Sequence, residues 1–164
     1  MTIKGLDGIE RGYVIPVEAS LNNYPITAIS MRQILDLTKR IPAKHIFFIM
    51  DCCYSGNIIM QGKQAIKNRP NDDIKKTRSR RVVQIITAGD KDQMALESEG
   101  HGLFTKYILN SLKGNADLNR DSVISGTELG TYIPPIISKI TQNFQTPIFS
   151  HLEGNGDIIF FLPK

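Results

Sequence analysis

HIFFIMDCCYSG, residues 45–56, decides the fold. Ile46 to Met50 are apolar without alternation, the pattern of a strand covered on both faces. An acid, two adjacent cysteines and a small polar turn follow directly. In open α/β sheets functional groups gather at the carboxyl ends of strands, so Asp51, Cys52 and Cys53 are expected at such an edge. A thiolate there is a nucleophile when a histidine or a local positive field lowers its pKa. The plain alternative is that the cysteines are small hydrophobes at a strand end.

Working outward, RGYVIPVEA (11–19) reads as a short strand ending near Pro16. SMRQILDLTKRI (30–41) is an amphipathic helix with Met31, Ile34, Leu35, Thr38 and Ile41 at helical spacing. Ser30 and Gln33 have the form of a capping box, and Pro42 helps to end the helix. A second apolar strand is RVVQIITAG (81–89). LFTKYILNSL (103–112) is helical with Gly114 as its stop. GTELGTYI opens another helix that Pro134 and Pro135 should interrupt or kink. GDIIFFL (156–162) is a last strand. Strands alternating with helices imply one α/β domain over residues 1–164, three-layered with a mostly parallel sheet.

A chain of 164 residues, 41% hydrophobic, suits one domain with a proper core. No stretch approaches about 18 consecutive apolar residues, and the start lacks the apolar core of a secretory signal. The chain therefore reads as cytoplasmic, with no membrane partner. Two neighbouring cysteines make neither a disulfide framework nor a zinc site.

The net charge of +4 is unevenly spread: residues 61–81 carry eight Lys/Arg against two Asp, a net of +6, which leaves −2 elsewhere. The basic character belongs to one segment, read as a flexible loop. No aromatic residue is interleaved there for base stacking, so nucleic acid is not the expected partner.

HIFFIMDCCYSG resembles the nucleophile strand of the caspase-like cysteine peptidases, in particular the metacaspases and their bacterial relatives. GYVIPVEAS is similar to the strand and loop before it, and VVQIITAGDKDQMALE to the strand after it with its Asp-Gln turn. GHGLFTKYILNSLKG is similar to the next helix of bacterial members, and QTPIFS with GDIIFF to their ending. The resemblance spans residues 12–161 and implies a three-layer caspase-like fold and a cysteine endopeptidase activity. It implies Cys53 as the nucleophile, Cys52 as a packed neighbour, and Asp51 as the acid of a pocket for Arg or Lys before the cleaved bond. Asp92 and Gln93 match the substrate-binding turn. The alternative for Asp51 is a strand-end cap. The basic loop 61–81 becomes a self-cleavage segment.

The family also needs a catalytic histidine in a His-Gly element upstream of GLDGIERGYVIP, which this chain does not contain. His45 starts the strand that ends at Cys53. His101, in EGHGLF, matches a Gly-His-Gly that opens a later helix in bacterial relatives, and His151 lies near the C-terminus. Two expectations follow. Either the chain is the C-terminal part of a peptidase, inactive without its first strands and dyad histidine, or it is a non-catalytic caspase-like pseudoenzyme serving as a calcium-stapled interaction module. Peptides with Arg or Lys, a missing N-terminal segment or partner domains are the implied partners.

DLNRDSVISGTEL (117–129) is the second chemical signal. Asp117, Asn119, Asp121, Val123 through its carbonyl, Ser125 and Glu128 occupy positions 1, 3, 5, 7, 9 and 12 of an EF-hand loop. Ca²⁺ is the expected ion, as a structural staple; no organic cofactor is expected. Ser122 stands at position 6, where glycine normally makes the sharp turn. The alternative is a metal-free turn that caps the following helix. Glu18 could match one acid of a separate activating calcium site, but PITAISM lacks the paired acids near residue 29.

Overall fold

Every residue of VVQIITAG, 82–89, is buried, and this strand is the centre of the fold. The computed structural model describes residues 2–4, 10–20, 22–53, 74–90, 93, 95–98 and 100–163. Along the chain the elements are β1 (Thr2–Lys4), β2 (Glu10–Val14), α1 (Tyr24–Thr27), β3 (Ile29–Ser30), α2 (Met31–Thr38) and β4 (His45–Cys53). Then come α3 (Ile74–Ser79), β5 (Val82–Gly89), β6 (Glu97–Ser98), β7 (His101–Gly102) and α4 (Leu103–Asn110). A π-type turn over Ser111–Asn115 leads to β8 (Val123–Ser125), α5 (Gly126–Ile140), β9 (Ile148–Gly154) and β10 (Ile159–Phe161). The chain is a mixed α/β protein.

The central sheet has the order β4-β5-β9. Alternating side chains of its strands feed two apolar clusters on opposite faces. On one face Met31 and Ile34 of α2 pack with Phe48, Met50, Ile85 and Leu152. On the other, Phe104 and Ile108 of α4 and Leu129, Ile133 and Ile137 of α5 pack with Phe47, Ile86, Ala88 and Phe149. Smaller antiparallel sheets, β1-β2-β3, β8-β10 and β6-β7, complete the described strands.

Several expectations are corrected. β4 and β5 are parallel, but β5 pairs antiparallel with β9, as do the strands of every smaller sheet. The described sheet is thus not mostly parallel. A parallel addition needs a crossover back to the amino end of the sheet. Here Gln142 and Asn143, both at positive φ, turn the chain after α5, and Ile148 enters opposite Thr87, near the carboxyl end of β5. The strand β9 has no counterpart among the elements read from the sequence. Nor is β4 covered throughout: it is paired on one side among the described residues, and Ile49 is 43% exposed.

α5 runs unbroken through Pro134 and Pro135. An interior proline costs about 3 kcal/mol through its lost hydrogen bond and ring clash. Leu129, Ile133 and Ile137, fully buried at four-residue spacing, anchor both halves to one core. Burying such side chains is worth roughly 1.5–3 kcal/mol each, which offsets the break.

The segment 61–81 is not all loop. Residues 61–73 lie outside the described residues, whereas α3 covers 74–79 and Arg81 is anchored. Its guanidinium donates to Ala43 O (2.6 Å), Thr38 O (2.7 Å) and Glu153 Oε1 (3.0 Å). These bonds tie the end of α2 and the approach to β4 to β9. The predicted Ser30–Gln33 box is present: Gln33 N donates to Ser30 Oγ, and Ser30 N to Gln33 Oε1.

Candidate active site at the carboxyl edge of the sheet

Because β4 and β5 are parallel, both deliver their carboxyl ends to the same edge, with Cys53 opposite Gly89. Between Met50 and Cys53 the strand β4 advances three residues while β5 advances two, from Thr87 to Gly89. One extra residue is therefore inserted at Asp51–Cys52. A bulge bends the strand, ends its pairing and re-aims the side chains beside it, and such bulges are over-represented next to active sites. Sequence reading gave no sign of it.

Asp51 leans toward α4. Thr105 Oγ1, in the first turn of that helix, donates to Asp51 Oδ2 at 2.5 Å. Gly102, the N-cap of α4, lies so close that a β-carbon there would collide with the Asp51 carboxylate. The acid thus sits at the positive end of a helix, where negative charge is favoured. Strand β7 carries His101 and Gly102 to this point, so the backbone of His101 adjoins the acid. Thr105 was not singled out from the sequence, and its one available signal is its place in the first turn after Gly-His-Gly.

Cys52 is exposed and is in no disulfide among the described residues. This corrects its expected role as a packed neighbour: the bulge at Asp51–Cys52 turns it out of the regular strand packing. Cys53 is the last residue of β4; its side chain, like those of Asp92 and His101, lies outside the described residues.

Gln93 is built into the loop after β5. Its Oε1 accepts from Asp90 N (2.9 Å) and Thr146 N (2.7 Å). Its Nε2 donates to Asn143 O (3.0 Å) and Thr146 Oγ1 (3.2 Å). With two donors and two acceptances in use, the amide holds the β5 loop against the turn before β9. Beside it, the fully buried Gln145 accepts from Leu96 N at 3.0 Å through Oε1.

Two histidines have described side chains, and both are placed elsewhere. His45 Nε2 lies 3.1 Å from Arg80 O at the start of β4. Eight residue steps of strand separate it from Cys53, roughly 26 Å. His151 Nε2 lies 2.9 Å from Gln84 Nε2, and because an amide nitrogen only donates, the imidazole accepts there. His151 faces Gln84, five residues before Gly89, which puts it roughly 16 Å from the Cys53 end.

The 117–128 loop forms a separate candidate site. Asp117 Oδ1 and Oδ2 accept from Asp121 N (3.1 Å) and Ser122 N (3.0 Å). Asn119 Oδ1 accepts from Asp121 N at 3.0 Å, and Asp121 Oδ1 from Val123 N at 2.9 Å. Arg120 and Ser122 both take positive φ, 60° and 65°. Ser122 therefore makes the left-handed turn without being glycine, at a cost of about 1–2 kcal/mol. On the strand side, Leu162 N donates to Ser122 O and Gly126 N to Ile158 O. Alternation along β8 then leaves the Val123 carbonyl off the ladder with β10. Glu128 is turned to Leu118 N (3.1 Å) and Ser125 N (2.8 Å), and Ser125 Oγ accepts from Glu128 N (3.0 Å) in a complete capping box. Among the described residues no three Cys, His, Asp or Glu side chains are gathered as a metal cluster. The donor chemistry is all oxygen and fits a hard cation. In this arrangement its carboxylates accept from backbone amides.

No protein-family model, no curated protein and no solved structure matches the chain. Among the described residues no helix is long and apolar enough to cross a membrane.

Proposed function

We propose that the chain is a caspase-like cysteine endopeptidase domain, with Cys53 as nucleophile and Asp51 as the acid that selects Arg or Lys before the cleaved bond. The observation that carries this reading is the bulge at Asp51–Cys52, which sets Cys53 at the sheet edge beside a carboxylate braced by Thr105. Helices on both faces of the sheet are consistent with a caspase-like three-layer fold. In the reaction the Cys53 thiolate attacks the scissile carbonyl carbon, and the C–N bond breaks as the amine leaves with a proton. Water then releases the acyl group from sulfur. The base that takes the thiol proton is not among the described side chains, since His45 and His151 are engaged elsewhere. Incubating the chain with an Arg-ending peptide amide tests the proposal; activity that survives Cys53→Ala overturns the assignment.

The engagement of His45 and His151 also favours a second reading, a non-catalytic caspase-like module. Adding His101→Ala to the same assay and labelling with an Arg-ending chloromethyl ketone separates the two: turnover lost with His101 places the base in β7, and a Cys53 that the reagent does not alkylate supports the module.

In either reading Asp117, Asn119, Asp121, Val123, Ser125 and Glu128 would hold Ca²⁺. The ion would supply a staple between the turn after α4 and the start of α5, remote from the chemistry.

A further inference from the structure

β4 carries an unbroken apolar run from Ile46 to Met50, yet none of these residues is fully buried, whereas all of β5 is. The difference lies in the pairing: β5 has a strand on each side, and β4 has one on a single side among the described residues. Val82 N donates to Lys44 O at 3.0 Å, and His45 stands opposite Val82. In a parallel ladder this register turns Lys44, Ile46, Phe48 and Met50 toward β5, and the amides and carbonyls of His45, Phe47 and Ile49 toward the outer side. Such an outward row is a template for another strand, which proteins blunt with charge, proline or a bulge. From Ile46 to Met50 this edge has none of the three; the bulge comes only at Asp51–Cys52.

The edge also matches itself. With two copies of β4 set antiparallel about a two-fold axis at Phe48, Phe47 of each faces Ile49 of the other, and Ile46 faces Met50. His45 then stands opposite Asp51 of the second copy, a favourable pairing of imidazole and carboxylate. Phe47 and Ile49 are also the residues whose backbone groups point outward, so they form the pairs that exchange hydrogen bonds in this register. An axis at Ile49 would set the Asp51 carboxylate against Phe47, and an axis at Phe47 would set it against Ala43, outside the strand. We propose that β4 pairs antiparallel with β4 of a second copy, joining two β4-β5-β9 sheets into one. Such an interface uses the same surface of both copies and closes at a dimer. It does not rest on the peptidase reading, because backbone pairing needs no chemistry at Cys53.

The test is sedimentation velocity of the full chain from about 1 to 100 µM, with amide hydrogen exchange at both ends of the range. The expected result is a reversible monomer–dimer equilibrium with no larger species. The amides of Phe47 and Ile49 exchange slowly in the dimer and fast in the monomer. Those of Ile46 and Phe48, bonded to β5, are protected at both concentrations. This readout needs no variant, so it stands if a substitution fails to fold. Ile49→Lys puts a charge on the outward edge and weakens the dimer about tenfold or more. Ile140→Lys puts the same charge on a comparably exposed residue (49% against 43%) of α5, which packs on β9 across the sheet, and leaves the dimer unchanged. His45→Lys tightens the dimer and His45→Asp loosens it, each about threefold, because Asp51 of the second copy faces the position. A monomer throughout the range, protection of Phe47 and Ile49 at every concentration, equal losses in Ile49→Lys and Ile140→Lys, shifts of one sign in the two His45 variants, or growth into fibres would each overturn it.

Discussion

Thr105 Oγ1 and Asp51 Oδ2, 54 residues apart in sequence, meet at 2.5 Å and join the end of β4 to the first turn of α4. The bond fixes the direction of the acid that precedes the cysteines at the candidate edge. If Asp51 selects a basic side chain, removing the bond should loosen selection more than it loosens the fold. Thr105→Val is expected to lower kcat/KM for Arg-ending peptides about 3–10-fold, the loss of one solvent-exposed hydrogen bond, with Thr105→Ser restoring it. Gly102→Ala should act in the same direction by pushing the carboxylate aside.

The capping box of α5 gives a stability prediction. Ser125→Ala removes the acceptor for Glu128 N and should cost about 1 kcal/mol, or roughly 2–4 °C in Tm for a chain of this size. If the loop binds Ca²⁺, melts with added calcium and with chelator should also differ in the unaltered chain, and Asp117→Asn should abolish the difference. Superimposable curves would reduce the loop to a helix cap.

Gln84 lies fully buried at the centre of β5 and joins three parts of the fold. Its Nε2 donates to Asp157 Oδ1 at 2.7 Å, and its Oε1 accepts from Ile158 N at 3.1 Å. Asp157 Oδ1 in turn accepts from Thr127 N near the start of α5. Gln84→Leu should destabilise the protein by about 1–3 kcal/mol, because Ile158 N is left buried without that acceptor. Urea denaturation measures this directly.

Self-processing, if the peptidase reading holds, should fall before α3. Arg81 is bound to Ala43, Thr38 and Glu153, and Arg78 lies within the helix. Cuts are therefore expected after Lys63, Lys67 or Arg69 on incubation, mapped by intact-mass spectrometry. A cut after Arg81 would contradict the anchoring.

The parts of the fold legible in the sequence were those with strong local signals. The Ser30–Gln33 box, the apolar run of β5 and the left-handed Gly114 after α4 all rest on residues a few positions apart. What stayed hidden depended on distant partners. The continuity of α5 through Pro134 and Pro135 follows from core contacts of Leu129, Ile133 and Ile137, which no local rule predicts. The antiparallel β9 follows from the turn at Gln142 and Asn143. At the candidate site Asp51 was legible by its place before the cysteines. Thr105 and the bulge were not, because one partner lies on another element and the other exists only in the register with β5. Gln93 was read as contacting substrate, yet its amide is bonded on every side to loop backbone and Thr146.

The central claim, that Cys53 is a nucleophile in a pocket selecting a basic side chain, is tested most directly by covalent labelling. The chain would be treated with a peptidyl chloromethyl ketone ending in Arg and with its counterpart ending in Asp, and the modified cysteine located by mass spectrometry. The account predicts that the Arg reagent alkylates Cys53 well ahead of the exposed Cys52, that the Asp reagent reacts slowly, and that Asp51→Ala erases the difference. Equal labelling of both cysteines by both reagents would contradict it.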